Sequence, residues 1–173
     1  MTKPAKILIV EGRFYDDISD ELLRGAKAAL QARNAVWQVT TVPGALEIPQ
    51  VLAAAVSSGL FPTATGKGPF DGCVALGCVI RGETSHYDIV ANESARGLLQ
   101  LAAAHDIPVG NGILTVENHA QAMARAAVIG KNKGAAAVNA CLDLIEIKRA
   151  FRRQGERWRG RIGVAAAMMR PRA

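Results

Sequence analysis

The segment Arg81-Gly82-Glu83-Thr84-Ser85-His86 concentrates the groups best able to do chemistry. It lies between an apolar run, residues 73–80, and a stretch with helical spacing, residues 85–104. A glycine-led turn that runs into a helix leaves backbone N–H groups unpaired, and these favour an anion. The hydroxyls of Thr84 and Ser85 add donors. Simple capping by Thr84 or Ser85 is the other reading. His86 falls in the first turn of that helix. It is either a solvated or capping imidazole or, beside an anion site, a proton-transfer group.

Other groups stand in comparable settings. Phe14 follows the apolar run 7–10 through Glu11-Gly12-Arg13. It either stacks on a planar ring or closes the core. Pro43-Gly44-Ala45-Leu46-Glu47 follows an alternating run, and Glu47 either answers a helix dipole or binds ligand hydroxyls. Asn111-Gly112, with Thr115 and Glu117, belongs to a fourth strand-like run. Arg125 and Lys133 are each either surface charges or phosphate ligands, a task that suits a guanidinium. The cysteines are Cys73, Cys78 and Cys141, an odd count with no tight pair. Cys73 and Cys78, in or beside an apolar run, are expected to be buried thiols; no disulfide framework is expected, and the compartment is read as a reducing cytosol. Cys-x4-Cys without a second ligand pair is a poor zinc site, and no metal is expected.

The elements that must position these groups are legible in the spacing. Strands are expected over 7–10, 37–42, 73–80 and 109–116. Helices are expected over 16–30, 46–57, 85–104 and 118–127, and from 135 to about 153. Asp16, Asp17 or Ser19 is the expected cap of the first helix, and Asn118 that of the fourth. Pro49 is tolerable only in a first helical turn. Residues 58–70 read as a loop, and Asn132-Lys133-Gly134 as a turn. Strands alternating with helices predict an α/β fold, a parallel sheet with right-handed crossovers and helices on both faces. In such sheets ligands sit beyond the carboxyl ends of the strands, where the segments above are found.

The 173 residues suit one well-cored domain. Half are hydrophobic and 21% charged, which excludes a disordered chain. The net charge of +6 is unevenly placed. Nine of the 21 Lys/Arg lie at 148 or beyond with one acid, Glu156, so this end carries +8 and residues 1–147 carry −2. The excess is read as a solvated helix end and a loose basic tail over 154–173, with no nucleic acid expected. Residues 1–6 are too short and polar for a signal peptide. No apolar stretch approaches the length of a membrane span.

Taken in order, several stretches resemble the lumazine synthase family. Val42-Pro43-Gly44-Ala45-Leu46-Glu47-Ile48-Pro49 looks like its Val-Pro-Gly segment. Ala75-Leu76-Gly77-Cys78-Val79-Ile80-Arg81-Gly82-Glu83-Thr84-Ser85-His86-Tyr87 looks like its Ile-Arg-Gly-x-Thr-x-His segment. Residues 88–93, Gly112-Ile113-Leu114-Thr115-Val116-Glu117-Asn118 and Asn132-Lys133-Gly134 continue the likeness, which spans residues 7–151. The resemblance implies one domain over residues 1–153, built as a three-layer flavodoxin-like sandwich on a four-stranded parallel sheet. It implies condensation of 5-amino-6-(ribitylamino)uracil with 3,4-dihydroxy-2-butanone 4-phosphate to 6,7-dimethyl-8-ribityllumazine, phosphate and water, with no cofactor.

Carried over by position, the resemblance places Phe14 on the pyrimidine ring. Ala45 and Glu47 hold the ribityl chain, with Leu46 in the same substrate loop. Val79 and Ile80 meet the ring with backbone groups. Gly82, Glu83 and Thr84 cradle the phosphate, and His86 shuttles protons. Arg125 and Lys133 reach in from a neighbouring subunit, and Asn111 bears on ring packing. The resemblance also implies a cytoplasmic homopentamer with active sites between subunits, a larger shell in some members, and an association with riboflavin synthase. Here a free pentamer is preferred, because Arg125-Ala126-Ala127-Val128-Ile129-Gly130-Lys131 departs from the family's usual bend and the tail is longer and more basic. Three other functions fit parts of the pattern: a flavin- or lumazine-binding relative without synthesis, a polyanion-binding shell protein, and a flavodoxin-type carrier. The last lacks a hydroxyl-rich phosphate loop after the first strand.

Overall fold

The computed structural model describes residues 3–62 and 68–168, with side chains as far as Arg159. Residues 1–2 of the amino-terminal segment, 63–67 of the expected loop and 169–173 of the basic tail lie outside the described residues.

Four parallel strands form the sheet: β1 (Lys6–Gly12), β2 (Val36–Val42), β3 (Gly72–Ile80) and β4 (Val109–Val116). Their order is β2-β1-β3-β4. Each register runs in step, from Ile7 opposite Trp37 and Gly72 to Ile80 opposite Val116. β1 and β3 are central and almost wholly buried, as expected of apolar runs covered on both faces. One layer holds α1 (Asp16–Ala32), α4 (His119–Ala126) and α5 (Lys133–Met168). The other holds α2 (Glu47–Ser57) and α3 (His86–His105).

Alternate side chains of β1 feed the two cores. Ile7 and Ile9 pack with Leu22, Leu30, Val138 and Ile145 under α1 and α5. Leu8 and Val10 pack with Ile48, Leu52, Leu98 and Phe61 under α2 and α3. The flavodoxin-like three-layer α/β arrangement is therefore the one expected from the sequence.

The helix ends obey local chemistry, with two corrections. Asn118 caps α4 as expected, its Oδ1 accepting from the Gln121 N–H at 2.9 Å. Gln121 Oε1 reaches back to the Glu117 N–H at 3.1 Å, a reciprocal capping pair. Pro49 lies in the first turn of α2, where its missing N–H costs nothing. The first correction concerns α1. Its cap is Tyr15, without a side-chain bond, because the expected caps are engaged elsewhere: Asp16 with Arg13, Asp17 with His119, and Ser19 buried against Gly12 O. The second concerns α5. It starts at Lys133, where Asn132 at φ 44° accepts from the Ala135 N–H, and it runs to Met168, well past the expected end near Arg153.

Where α5 crosses α1, two glycines make the approach possible. A Cβ on Gly134 would stand 2.1 Å from Leu22 O, and one on Gly25 would stand 2.1 Å from Asn132 Oδ1.

Candidate active site

The loops leaving β1, β2 and β3 enclose a cleft of about 400 Å³ at the carboxyl edge of the sheet. Phe14, Tyr15, Pro43, Gly44, Ala45, Leu46, Glu47, Cys78, Val79, Ile80, Gly82, Thr84, His86, Tyr87 and Val90 line it. Nine of the residues singled out in the sequence are among them.

Each wall has a local cause. The β1 and β2 ends are drawn together by the Arg13 N–H bond to Val42 O at 2.9 Å. Gly12 admits the facing loop, since a Cβ there would lie 2.8 Å from the Gly44 carbonyl carbon. Beyond that contact Phe14 projects outward, 71% exposed, with Tyr15 edge-on to its ring at a centroid distance of 5.0 Å. Tyr15 is the ring that packs on the core, so Phe14 does not close it. An exposed phenyl at the mouth of a cleft is available to stack on a planar ligand.

The second wall starts the helix α2. Leu46 is its half-buried N-cap residue and Glu47 its first residue. Glu47 therefore answers the helix dipole and borders the cleft at once. The dipole role does not take the carboxylate away from the cleft.

The third wall is the glycine-led turn into α3. β3 ends at Ile80, and Gly82, Glu83, Thr84 and Ser85 lead into α3 on the exposed surface. Ser85 is the N-cap residue but makes no side-chain cap bond. The Thr84 hydroxyl accepts weakly from the His86 N–H at 3.4 Å. The capping reading is thus only half met: the Asp88 N–H is held by Ser85 O at 3.0 Å, while the His86 N–H has only its weak bond to Thr84. His86 is exposed and opens the helix.

Four sequence candidates do not line the cleft of this chain. Glu83 is exposed on the same loop. Asn111 sits within the edge strand β4, exposed, its Oδ1 accepting from the Ile113 N–H at 3.0 Å. Arg125 turns back on α4, donating to Gln121 O at 3.0 Å. Lys133 is exposed at the start of α5. The fourth strand contributes no residue to the lining of this cleft, although its carboxyl end lies at the same edge of the parallel sheet.

Tyr15, Cys78, Tyr87 and Val90 were not singled out as site residues. Cys78 was read only as a buried thiol, and it is one, as are Cys73 and Cys141. Burial, with a smaller push from Asp17, raises the Cys78 thiol to about 12. At neutral pH it is a small apolar wall, not a nucleophile. Burial raises the Tyr15 hydroxyl as well. Beneath the first loop, buried Glu11 accepts from Thr41 Oγ1 at 2.9 Å, and Arg13 Nη1 stands at ion-pair range, 3.6 Å, from its other oxygen. Among the described residues no cluster of three or more His, Cys, Asp or Glu could hold a metal ion.

The cleft thus joins a free aromatic face, a carboxylate, a hydroxyl-bearing turn at a helix N-terminus and an imidazole. The family model for 6,7-dimethyl-8-ribityllumazine synthase matches residues 4–149 of the chain, the whole of this architecture up to the distal part of α5. The chain belongs to the 6,7-dimethyl-8-ribityllumazine synthase family. Among its relatives, the 6,7-dimethyl-8-ribityllumazine synthase of Methylorubrum extorquens (strain PA1) is 57% identical over 145 residues, 84% of this chain and 82% of that protein. The 6,7-dimethyl-8-ribityllumazine synthase 1 of Rhizobium meliloti (strain 1021) is 56% identical over 146 residues, 84% of this chain and 93% of that protein. That of Agrobacterium fabrum is 54% identical over 150 residues, 86% of this chain and 97% of that protein. Among the described residues of this lumazine synthase family member, no helix is long and apolar enough to cross a membrane.

Proposed function

We propose that this chain condenses 5-amino-6-(ribitylamino)uracil with 3,4-dihydroxy-2-butanone 4-phosphate, giving 6,7-dimethyl-8-ribityllumazine, phosphate and water. This is the penultimate step of riboflavin biosynthesis. The observation that carries it is the cleft itself: nine of the residues to which the family resemblance gives roles, Phe14, Glu47, Thr84 and His86 among them, line it together. Turnover of the two substrates, formulated at the close of the Discussion, tests it.

Within the cleft, Phe14 stacks on the pyrimidine while the Val79 and Ile80 backbone aligns its edge. Ala45, Leu46 and Glu47 take the ribityl hydroxyls. Gly82, Glu83 and Thr84, with the N-terminus of α3, bind the phosphate. His86 moves protons during imine formation, phosphate loss and dehydration. The largest contribution is holding two polar substrates in register, for which proximity supplies roughly 7–11 kcal/mol at best. No cofactor is required by such steps.

Arg125, Lys133 and Asn111 complete the site from a neighbouring copy in a pentamer of about 92 kDa, five times 18.3 kDa. Their positions support this, since none lines the cleft of its own chain and Asn111 stands on an open sheet edge. We prefer the free pentamer to a larger shell because the 126–131 bend exposes Ile129 almost completely, a departure at the place where pentamers would pack. A cytosolic location suits three free buried thiols. Association with riboflavin synthase, which uses the product, belongs to the same proposal.

A shared site has a statistical signature. His86→Ala and Arg125→Ala subunits, each nearly inactive alone, are expected to recover about a quarter of wild-type activity when co-assembled one to one, because one site in four then draws both intact side chains. Activity that stays at the level of the separate variants would place both groups in one chain.

A further inference from the structure

Arg81 stands between the cleft residues Ile80 and Gly82, yet it points away from the cleft into a set of contacts that join three elements. Its backbone N–H donates to Val116 O at 2.9 Å, tying the end of β3 to the end of β4. Its Nε donates to Glu117 Oε2 at 3.0 Å, just past β4. Its Nη1 and Nη2 face the two carboxylate oxygens of Asp88 at 3.4 and 3.3 Å, on the first turn of α3. The guanidinium also lies over the Tyr87 ring, 4.0 Å from its centroid. A planar fork suits this task, because it can meet two carboxylates and stack on a ring at once.

The loop bracketed by these contacts is Gly82-Glu83-Thr84-Ser85. Among the described residues its own side chains make one weak bond, from the His86 N–H to Thr84. A Cβ on Gly82 would meet nothing within 4 Å. The loop is therefore held by its ends, and Arg81 grips both of them. The guanidinium is also neutralised by Glu117 and Asp88, so it is engaged before any ligand arrives.

We propose that Arg81, with Glu117 and Asp88, is a positioning clamp that sets the geometry of the phosphate-binding loop and of His86 without touching substrate. This rests on the function proposed above. The contacts are exposed, and exposed ion pairs add little to stability. Their effect should therefore appear in binding of the phosphate half-substrate and not in folding.

The test compares Arg81→Gln, Arg81→Lys and Glu117→Gln with the wild type in steady-state kinetics, with thermal unfolding run alongside. Arg81→Gln is expected to raise KM for the butanone phosphate roughly 10–100-fold, with KM for the pyrimidine within about twofold. Arg81→Lys keeps the charge but loses the fork and falls between. Glu117→Gln, which alters only an anchor, is expected to give the same selective rise, smaller, and it serves alone if the Arg81 variants fail to fold. Unchanged KM for the phosphate substrate in Arg81→Gln and Glu117→Gln overturns the clamp. So does a large effect of Arg81→Gln beside none of Glu117→Gln, which would make Arg81 a direct ligand. A wild-type chain without turnover would sink the proposed reaction instead. Calorimetric titration with inorganic phosphate then decides the clamp separately, and equal affinity in wild type and Arg81→Gln overturns it.

Discussion

Replacing His86 with alanine is expected to slow turnover by roughly 10²–10⁴ while leaving the fold intact. The side chain opens α3 on the exposed rim of the cleft, belongs to neither hydrophobic core, and can be truncated without leaving a cavity. Its main-chain N–H keeps its bond to Thr84 in the variant. The loss would therefore be chemical. Imine formation and dehydration each move a proton, and an imidazole next to the phosphate turn is the group placed to do so. Binding of both substrates should change little, because neither the ring wall nor the first-turn N–H groups are altered. Added imidazole should restore part of the rate. A loss below about tenfold would reduce His86 to positioning and leave proximity as almost the whole of the catalysis.

The second large effect concerns the scaffold. Gly134→Ala should destabilise the protein by about 3 kcal/mol, the upper part of the range for inserting a methyl group into packed structure. The added Cβ would stand 2.1 Å from Leu22 O and 2.9 Å from Leu22 C, both backbone atoms of α1 that no rotamer change can move. α1 and α5 would have to separate along a crossing that buries Leu22, Ala26, Val138 and Leu142. Gly155→Ala in the same helix is the control. Its Cβ would approach only Arg159, at 3.8 Å, and alanine favours helix by about 0.5–1 kcal/mol over glycine. Denaturant unfolding should show opposite signs for the two variants. Equal stabilities would mean that the helices yield at the crossing at little cost.

The central sheet was legible because buried parallel strands are apolar throughout, as Ile7-Leu8-Ile9-Val10 is, and because the helices between them carry a periodic face. The cap of α4 was legible for a local reason: Asn118 and Gln121 are three residues apart. The cap of α1 was not, since Asp16, Asp17 and Ser19 are claimed by partners on other elements. The far end of α5 was misjudged because Gly155 weakens a helix without breaking it. At the site, the aromatic, carboxylate and hydroxyl groups could be named from the strand ends. Whether Phe14 closed the core could not, because it depends on how α1 packs. The Arg81 clamp joins Glu117, 36 positions away, through a contact that spacing does not encode. Asn111, Arg125 and Lys133 do not line the cleft of their own chain, and residue spacing alone does not say which copy of a chain a side chain serves.

The most direct measurement is turnover by the purified protein supplied with 5-amino-6-(ribitylamino)uracil and 3,4-dihydroxy-2-butanone 4-phosphate, following the fluorescence of the lumazine and the release of phosphate. The expected result is steady formation of both products in equal amounts, proportional to protein and almost absent with His86→Ala. A folded protein that binds the pyrimidine yet forms neither product would contradict the proposed reaction and make the cleft a binding site only.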